Sequence, residues 1–223
     1  MNVGILGTGN LATTLGRAWA AAGHSLSVTG RDASHAGQVA NHIGHAAKAV
    51  EPAAFAAQAD VDVVVVAVSF EGLETALSLV GAPQGSLAGM TVLDCTNPLD
   101  YQTGRLQATT GSAAELVAHA APGAHVVKAL HLFAGASWPY TGPRAAAPVV
   151  AICGDEPRAL DRATALIADL GGHSAVVGGL DSARQLEEAA GFVMRLVAAG
   201  YNPRLAVPDV DPAALGLAQA TTD

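Results

Sequence analysis

The chain is poor in several things at once. Aromatic residues make up 4% of its 223 residues, too few for a nucleic-acid platform of stacked rings. Charged residues make up 13% against 51% hydrophobic, which excludes a disordered chain. Basic side chains number 11 against 19 acidic ones, for a formal net charge of -8. No basic run is present that could follow a phosphate backbone or an anionic membrane. A single phosphate held in a pocket stays compatible, because that needs only a few donors. Two cysteines, Cys95 and Cys153, are too few for a disulfide framework and wrongly spaced for zinc. No apolar stretch reaches membrane-spanning length without an interrupting Gly, polar or charged residue. The start, MNVGILG, carries Asn2 where a signal peptide would carry positive charge. These absences predict a cytoplasmic protein with no nucleic-acid and no membrane partner.

What is present is an alternation of strands and helices. Val3 to Leu6 reads as a strand. Leu11 to Ala22 has helical apolar spacing and stops at Gly23, a fitting C-terminal cap. Ser25 to Gly30 reads as a strand, 34–44 as a helix, 46–50 as a weak strand and Ala53 to Ala59 as a short helix. VDVVVVAV, Val61 to Val68, is apolar on both faces, as a central parallel strand should be. Thr91 to Cys95 is a fifth strand. Ser112-Ala113-Ala114-Glu115 matches a capping box and opens a helix. Ala124 to Leu130 is a sixth strand. Beyond it come strands at 147–154 and 173–179, a helix from Pro157 to Leu170, and a long helix from Ser182 to Ala199.

This order predicts an α/β fold: a Rossmann-like, doubly wound, mainly parallel sheet with a small C-terminal α/β extension. Right-handed crossovers would set every strand's C-terminal end on one edge. The expected units are a dinucleotide-binding domain over 1–133, a small region over 134–203 completing the substrate cleft, and a loose tail over 204–223.

Gly7, Gly9 and Ala12 form G-x-G-x-x-A between a strand and a helix. Gly7 permits the tight turn, Gly9 leaves room for a pyrophosphate, and Ala12 lets the helix approach the sheet. The helix N-terminus then offers free N–H groups to the anion. In the following strand, VTGRD puts Gly30 where NAD-preferring sites carry an acid, and Arg31 comes next. A carboxylate would repel a 2'-phosphate, whereas a guanidinium binds it bidentately. Thr29 and Ser34 could add hydroxyl donors. The expected cofactor is therefore NADP(H); in the competing reading Arg31 is a solvated surface residue and Asp32 takes the ribose.

Three segments should meet at the nicotinamide end, outside the strand ends. They are Ser69 and Phe70, the turn from Thr96 to Asp100, and the run from His131 to Gly135. Phe70 could pack near the cofactor, and Asn97 could supply an amide hydrogen bond. His131 is the candidate for acid–base or donor work. Lys128 points to the opposite face from His131 if the strand continues. His35, His42 and His45 share a helix face by spacing but lack a carboxylate partner, so no metal is expected. Glu187 and Glu188 lie on the long last helix with Arg184 and Arg195, and Arg184 and Glu188 form an i,i+4 pair, ordinary helix support. Neither G-x-S-x-G nor a phosphate-loop lysine motif is present.

Taken in order, VGILGTGNLA, VTGRD, VLDCTNPL, AAELVAHAAPGAHVVKALHLFAG, VAICGDEPRALDRATALIADLGG and DSARQLEEAAGFVMRLVAAG resemble the coenzyme F420-dependent NADP oxidoreductase family. The resemblance runs from residue 2 to about residue 200. It implies hydride transfer between NADPH and a deazaflavin, with the cofactor site at Gly7, Thr8, Gly9, Asn10, Leu11, Gly30 and Arg31. Gly30 replaces the family's usual serine. The resemblance further implies a deazaflavin cleft lined by His131, Leu132, Phe133, Ala134 and Gly135, and a homodimer. HLFAG is less polar than the family's version. Two alternatives stand beside this one. An NADPH-dependent reductase of a small imine or carbonyl would need a proton donor such as His131. A non-catalytic NADP(H)-binding module would need none.

Overall fold

Short β-branched runs make the strands, and the centre of the sheet is the most apolar of them. β4 (Val63–Val66) is four valines, all fully buried. Val63 and Val65 enter one core and Val64 and Val66 the other, as the alternation of a strand requires. The structure, a computed structural model, describes residues 1–57, 60–107, 110–132 and 135–216. β1 (Asn2–Leu6), β2 (Ser25–Thr29), β3 (Lys48–Ala49), β5 (Thr91–Asp94) and β8 (His125–Lys128) run parallel with β4. β9 (Val149–Gly154) and β10 (His173–Val176) extend the same sheet, whose order is β10-β9-β8-β5-β4-β1-β2-β3. β6 (Leu99–Asp100) and β7 (Arg105–Leu106) form a separate two-stranded hairpin.

Helices cover both faces. α1 (Asn10–Ala21), α2 (Ala33–Ile43) and α6 (Pro157–Asp169) pack on one side. α3 (Pro52–Phe55), α4 (Leu73–Leu79), α5 (Ala113–Ala120) and the first turn of α7 (Ala183–Ala198) pack on the other. Local chemistry fixes their starts. Asp32 caps α2 by accepting from His35 N–H at 3.1 Å, and Ser112 caps α5 by accepting from Glu115 N–H at 3.1 Å. Pro157 occupies the first turn of α6. Trp19, wholly buried, donates its Nε1–H to the Leu166 carbonyl at 2.9 Å and ties α1 to α6. The result is an α/β sheet of Rossmann type, mostly parallel and covered on both faces.

Two expectations about direction are corrected. β9 pairs antiparallel with β8, so the C-terminal ends of the strands do not all share one edge. The connection over 129–148 carries Pro139, Pro143 and Pro148 and only short 3-10 turns among its described residues. Without a crossover helix, a neighbouring strand returns antiparallel. The strand also does not continue to His131. β8 stops at Lys128, and Leu130 takes φ +59°, a left-handed conformation rare for a branched side chain. The alternation that would set Lys128 opposite His131 is therefore broken. His45 lies beyond the end of α2, at φ +51°, and does not share a helix face with His35 and His42. Between residues 203 and 216 the tail forms two 3-10 turns with Leu205 and Val207 exposed. Among the described residues no helix is long and apolar enough to cross a membrane.

Candidate active site

The chain runs outward from β1 to β3 and then returns to β4 on the other side of β1. Ligands in open α/β sheets bind at such a reversal, beyond the carboxyl ends of the strands. A cleft of about 180 Å³ opens there, lined by Gly7, Thr8, Gly9, Gly30, Arg31, Val68 and Ser69. Gly7 has φ +136°, and a Cβ on it would run into the Ala67 carbonyl oxygen. Its lack of a side chain is needed by the fold itself. Gly9 differs. It is the N-cap of α1 with φ -83°, offers no side-chain cap, and a Cβ there would meet no described atom within 4 Å. Open space thus lies beside Gly9 at the start of α1, and a helix N-terminus with such room suits an incoming anion. A Cβ at Gly30 would lie 2.8 Å from Thr8 Cγ2, so the Thr8 methyl takes up the room a side chain at 30 would use. Asp32 is engaged as the cap of α2, leaving Arg31 as the charged residue on the cleft wall.

A second cleft, of about 530 Å³, lies on the other side of the α1 N-terminus. Asn10, Leu11, Asn97, Leu130, His131 and Leu132 form one wall, and Ala190, Val193 and Met194 of α7 face them. Tyr101, on the β6–β7 hairpin, stands at its mouth, 59% exposed. Asn97 Nδ2 donates to the His131 carbonyl at 2.7 Å. Neither His131 ring nitrogen nor Asn97 Oδ1 has a hydrogen-bond partner among the described residues. Burial, helped by the Lys128 charge, pushes the His131 pKa down to about 3. At neutral pH His131 is an uncharged imidazole, a donor and an acceptor together. Burial, with Asp94 adding to it, pushes the Cys95 thiol up to about 12, so it is no nucleophile.

Behind this cleft lies a buried ion cluster. Lys128 Nζ is 2.9 Å from Asp94 Oδ2 and 2.7 Å from Glu187 Oε1, and it donates to the Thr96 carbonyl. Burial alone would lower the Lys128 pKa, but the two carboxylates outweigh it and hold the ammonium charged. Both Glu187 oxygens accept from Ala113 N–H at 3.0 Å, at the N-terminus of α5.

The expected site residues fall into groups. Gly7, Thr8, Gly9, Gly30, Arg31 and Ser69 line the first cleft; Asn10, Leu11, Asn97, His131, Leu132 and Gly135 line the second. Thr29 is fully buried, Ser34 is exposed on α2, and Phe70 packs against the α4 side of the core; none of these three lines either cleft. Phe133 and Ala134 lie outside the described residues. Sequence reasoning missed Pro52 and Leu79 on the first cleft, and Tyr101 and α7 on the second. Glu187, to which sequence reasoning gave no role, is buried against Lys128. Among the described residues no His, Cys, Asp or Glu cluster could hold a metal.

Fold and first cleft together define an NADP(H)-dependent oxidoreductase. Residues 2–98 match the family model described as NADP oxidoreductase coenzyme F420-dependent. Among solved structures, a proposed F420-dependent NADP reductase of Arthrobacter sp. FB24 is 28% identical, with a TM-score of 0.77 over 90% of this chain and 96% of that one. A hypothetical protein of Sinorhizobium meliloti is 24% identical, with a TM-score of 0.69 over 82% of this chain and 88% of that one. A reductive aminase of Aspergillus terreus shares the fold at 20% identity, with a TM-score of 0.64 over 89% of this chain and 62% of that longer one. Comparison with curated proteins gives no match.

Proposed function

We propose that the protein transfers a hydride between NADP(H) and a deazaflavin acceptor, coenzyme F420. The observation that carries this reading is the second cleft. Its α7 wall is apolar, its other wall mixes leucines with Asn97 and His131, no Asp, Glu, Lys or Arg lines it, and it adjoins the dinucleotide turn through Asn10. When bound, the nicotinamide and the deazaflavin supply the redox chemistry themselves. The chain's residues hold, orient and exclude water. Gly7, Thr8 and Gly9 cradle the pyrophosphate, and Arg31 takes the 2'-phosphate. Asn97 and neutral His131 offer hydrogen bonds to the rings, while Leu11, Leu130, Val193 and Met194 keep them dry. Residues 134–203 complete this cleft through α7. The acidic balance and the family resemblance support a cytoplasmic homodimer that binds neither nucleic acid nor membrane.

The test is an anaerobic titration of the protein with NADPH and oxidised deazaflavin, following both absorbances. One-to-one catalytic loss of the two signals is the expected result. NADPH binding without deazaflavin turnover would sink the reading.

One observation favours a second reading, reduction of a small imine or carbonyl. Tyr101 brings a phenolic O–H to the cleft mouth, where such a reaction needs a proton donor. His131, kept uncharged by burial, serves that role poorly. Tyr101→Phe separates the two: it should leave deazaflavin reduction within about threefold but cut imine or carbonyl turnover roughly 100-fold.

A further inference from the structure

Nothing proposed above uses the buried cluster of Asp94, Lys128 and Glu187. Burying three charges is a costly route to stability, since well-packed apolar groups often do as well. What the cluster does supply is a fixed geometry at two ends. At one end it grips the turn after β5. Asp94 Oδ1 accepts from Thr96 N–H at 2.9 Å, and Lys128 donates to the Thr96 carbonyl. With the peptide groups on both sides of Thr96 held, Asn97 is aimed at the His131 carbonyl. At the other end the cluster grips α7. Glu187 is bound at once to Lys128 and to the N-terminus of α5. Ala190, Val193 and Met194, the opposite wall of the second cleft, follow within two turns of α7.

We infer that Lys128 and Glu187 are positioning residues that fix the spacing between the Asn97–His131 wall and the α7 wall of the acceptor cleft. This rests on the reading of that cleft as the acceptor site. The first cleft is lined by none of the three residues and by no part of α7. Cofactor binding and acceptor binding should therefore separate when the pin is altered.

The experiment compares the whole wild-type chain with Glu187→Gln and Glu187→Asp. Glu187→Gln keeps the shape and loses the charge. Glu187→Asp keeps the charge and shortens the reach, so a purely electrostatic role would leave it near wild type. Three readouts are taken: the NADPH dissociation constant, the KM and kcat for oxidised deazaflavin, and hydrogen–deuterium exchange without ligand. In both variants the deazaflavin KM should rise about tenfold or more while the NADPH constant stays within about twofold. Exchange should quicken over 95–99 and 186–194 but not in α1. A deazaflavin KM near wild type, unchanged exchange in those segments, or an NADPH constant that rises in step with KM would overturn the inference. If Glu187→Gln does not fold, Glu187→Asp decides by the same criteria; if neither folds, the cluster is a stability element and the inference falls. Should the wild type not reduce deazaflavin at all, the functional proposal fails on its own account, and the exchange arm alone decides whether the pin exists.

Discussion

Asn97 holds His131 by its backbone, not by its ring. The amide Nδ2 donates to the His131 carbonyl at 2.7 Å, and both imidazole nitrogens are without a partner among the described residues. The ring is thereby positioned yet chemically uncommitted. Asn97→Leu should strand that carbonyl, cost about 1–3 kcal/mol of stability and lower acceptor turnover roughly tenfold. NADPH affinity should hold. Chemical denaturation and steady-state kinetics with a fixed acceptor check both halves.

The two glycines of the turn should respond differently to the same change. Gly7→Ala meets the Ala67 carbonyl at φ +136°, so it should destabilise the fold by about 2 kcal/mol or more. Gly9→Ala adds a methyl to open space at an ordinary φ, so the melting temperature should barely move. Its NADPH dissociation constant should instead rise at least about tenfold, because the methyl occupies the path of the pyrophosphate. Thermal unfolding and cofactor titration of both variants separate the two effects. Equal losses of stability would show that Gly9 serves the fold and not the ligand.

Arg31 is the charged residue on the first cleft, and Asp32 is committed to capping α2. Arg31→Ala should weaken NADPH binding by about 10- to 100-fold while leaving NADH nearly unchanged. Dissociation constants for both dinucleotides, in both proteins, measure this. Wild-type protein that binds the two equally would refute the 2'-phosphate role.

His131 makes a prediction about acid stability. Its folded pKa, about 3, lies below the ordinary 6.5, so the unfolded chain binds a proton that the folded chain refuses. The contribution is fully present above pH 6.5 and is lost as pH falls toward 3, at up to about 1.4 kcal/mol per pH unit. His131→Asn should flatten that part of the stability profile. Urea melts at pH 7 and pH 5 are the check; parallel losses in both proteins would argue against it.

The glycine turn, the central valine strand and the capped helices were legible because each is a local signal. The turn declares itself in six residues, and β4 in four. The ion cluster was not read, although two hints were there. Asp94 is the lone charge of TVLD and Lys128 the lone cation of HVVK, two apolar strands that pair in register at those very residues. Opposite charges at matched positions of buried strands must meet. Glu187 falls in line with Ala183, Leu186 and Ala190, the buried stripe of α7. Its helical phase, and not the neighbouring Arg184–Glu188 pair, is the signal of its burial. The hairpin that carries Tyr101 has strands of two residues each, too short for any periodicity to appear.

The antiparallel return of β9 has a consequence for the architecture of catalysis. Helices that follow the parallel strands start at the cofactor edge and descend away from it. Because β9 and β10 run the other way, and Cys153 and Gly154 of β9 lie opposite Lys128 and Val127, the chain returns to the C-terminal end of β8 before α7 starts. α7 meets the α5 N-terminus at Glu187, and its later residues Ala190, Val193 and Met194 line the second cleft. One reversed strand pair thus brings the last helix back to the second cleft, where it serves as a wall as well as cladding.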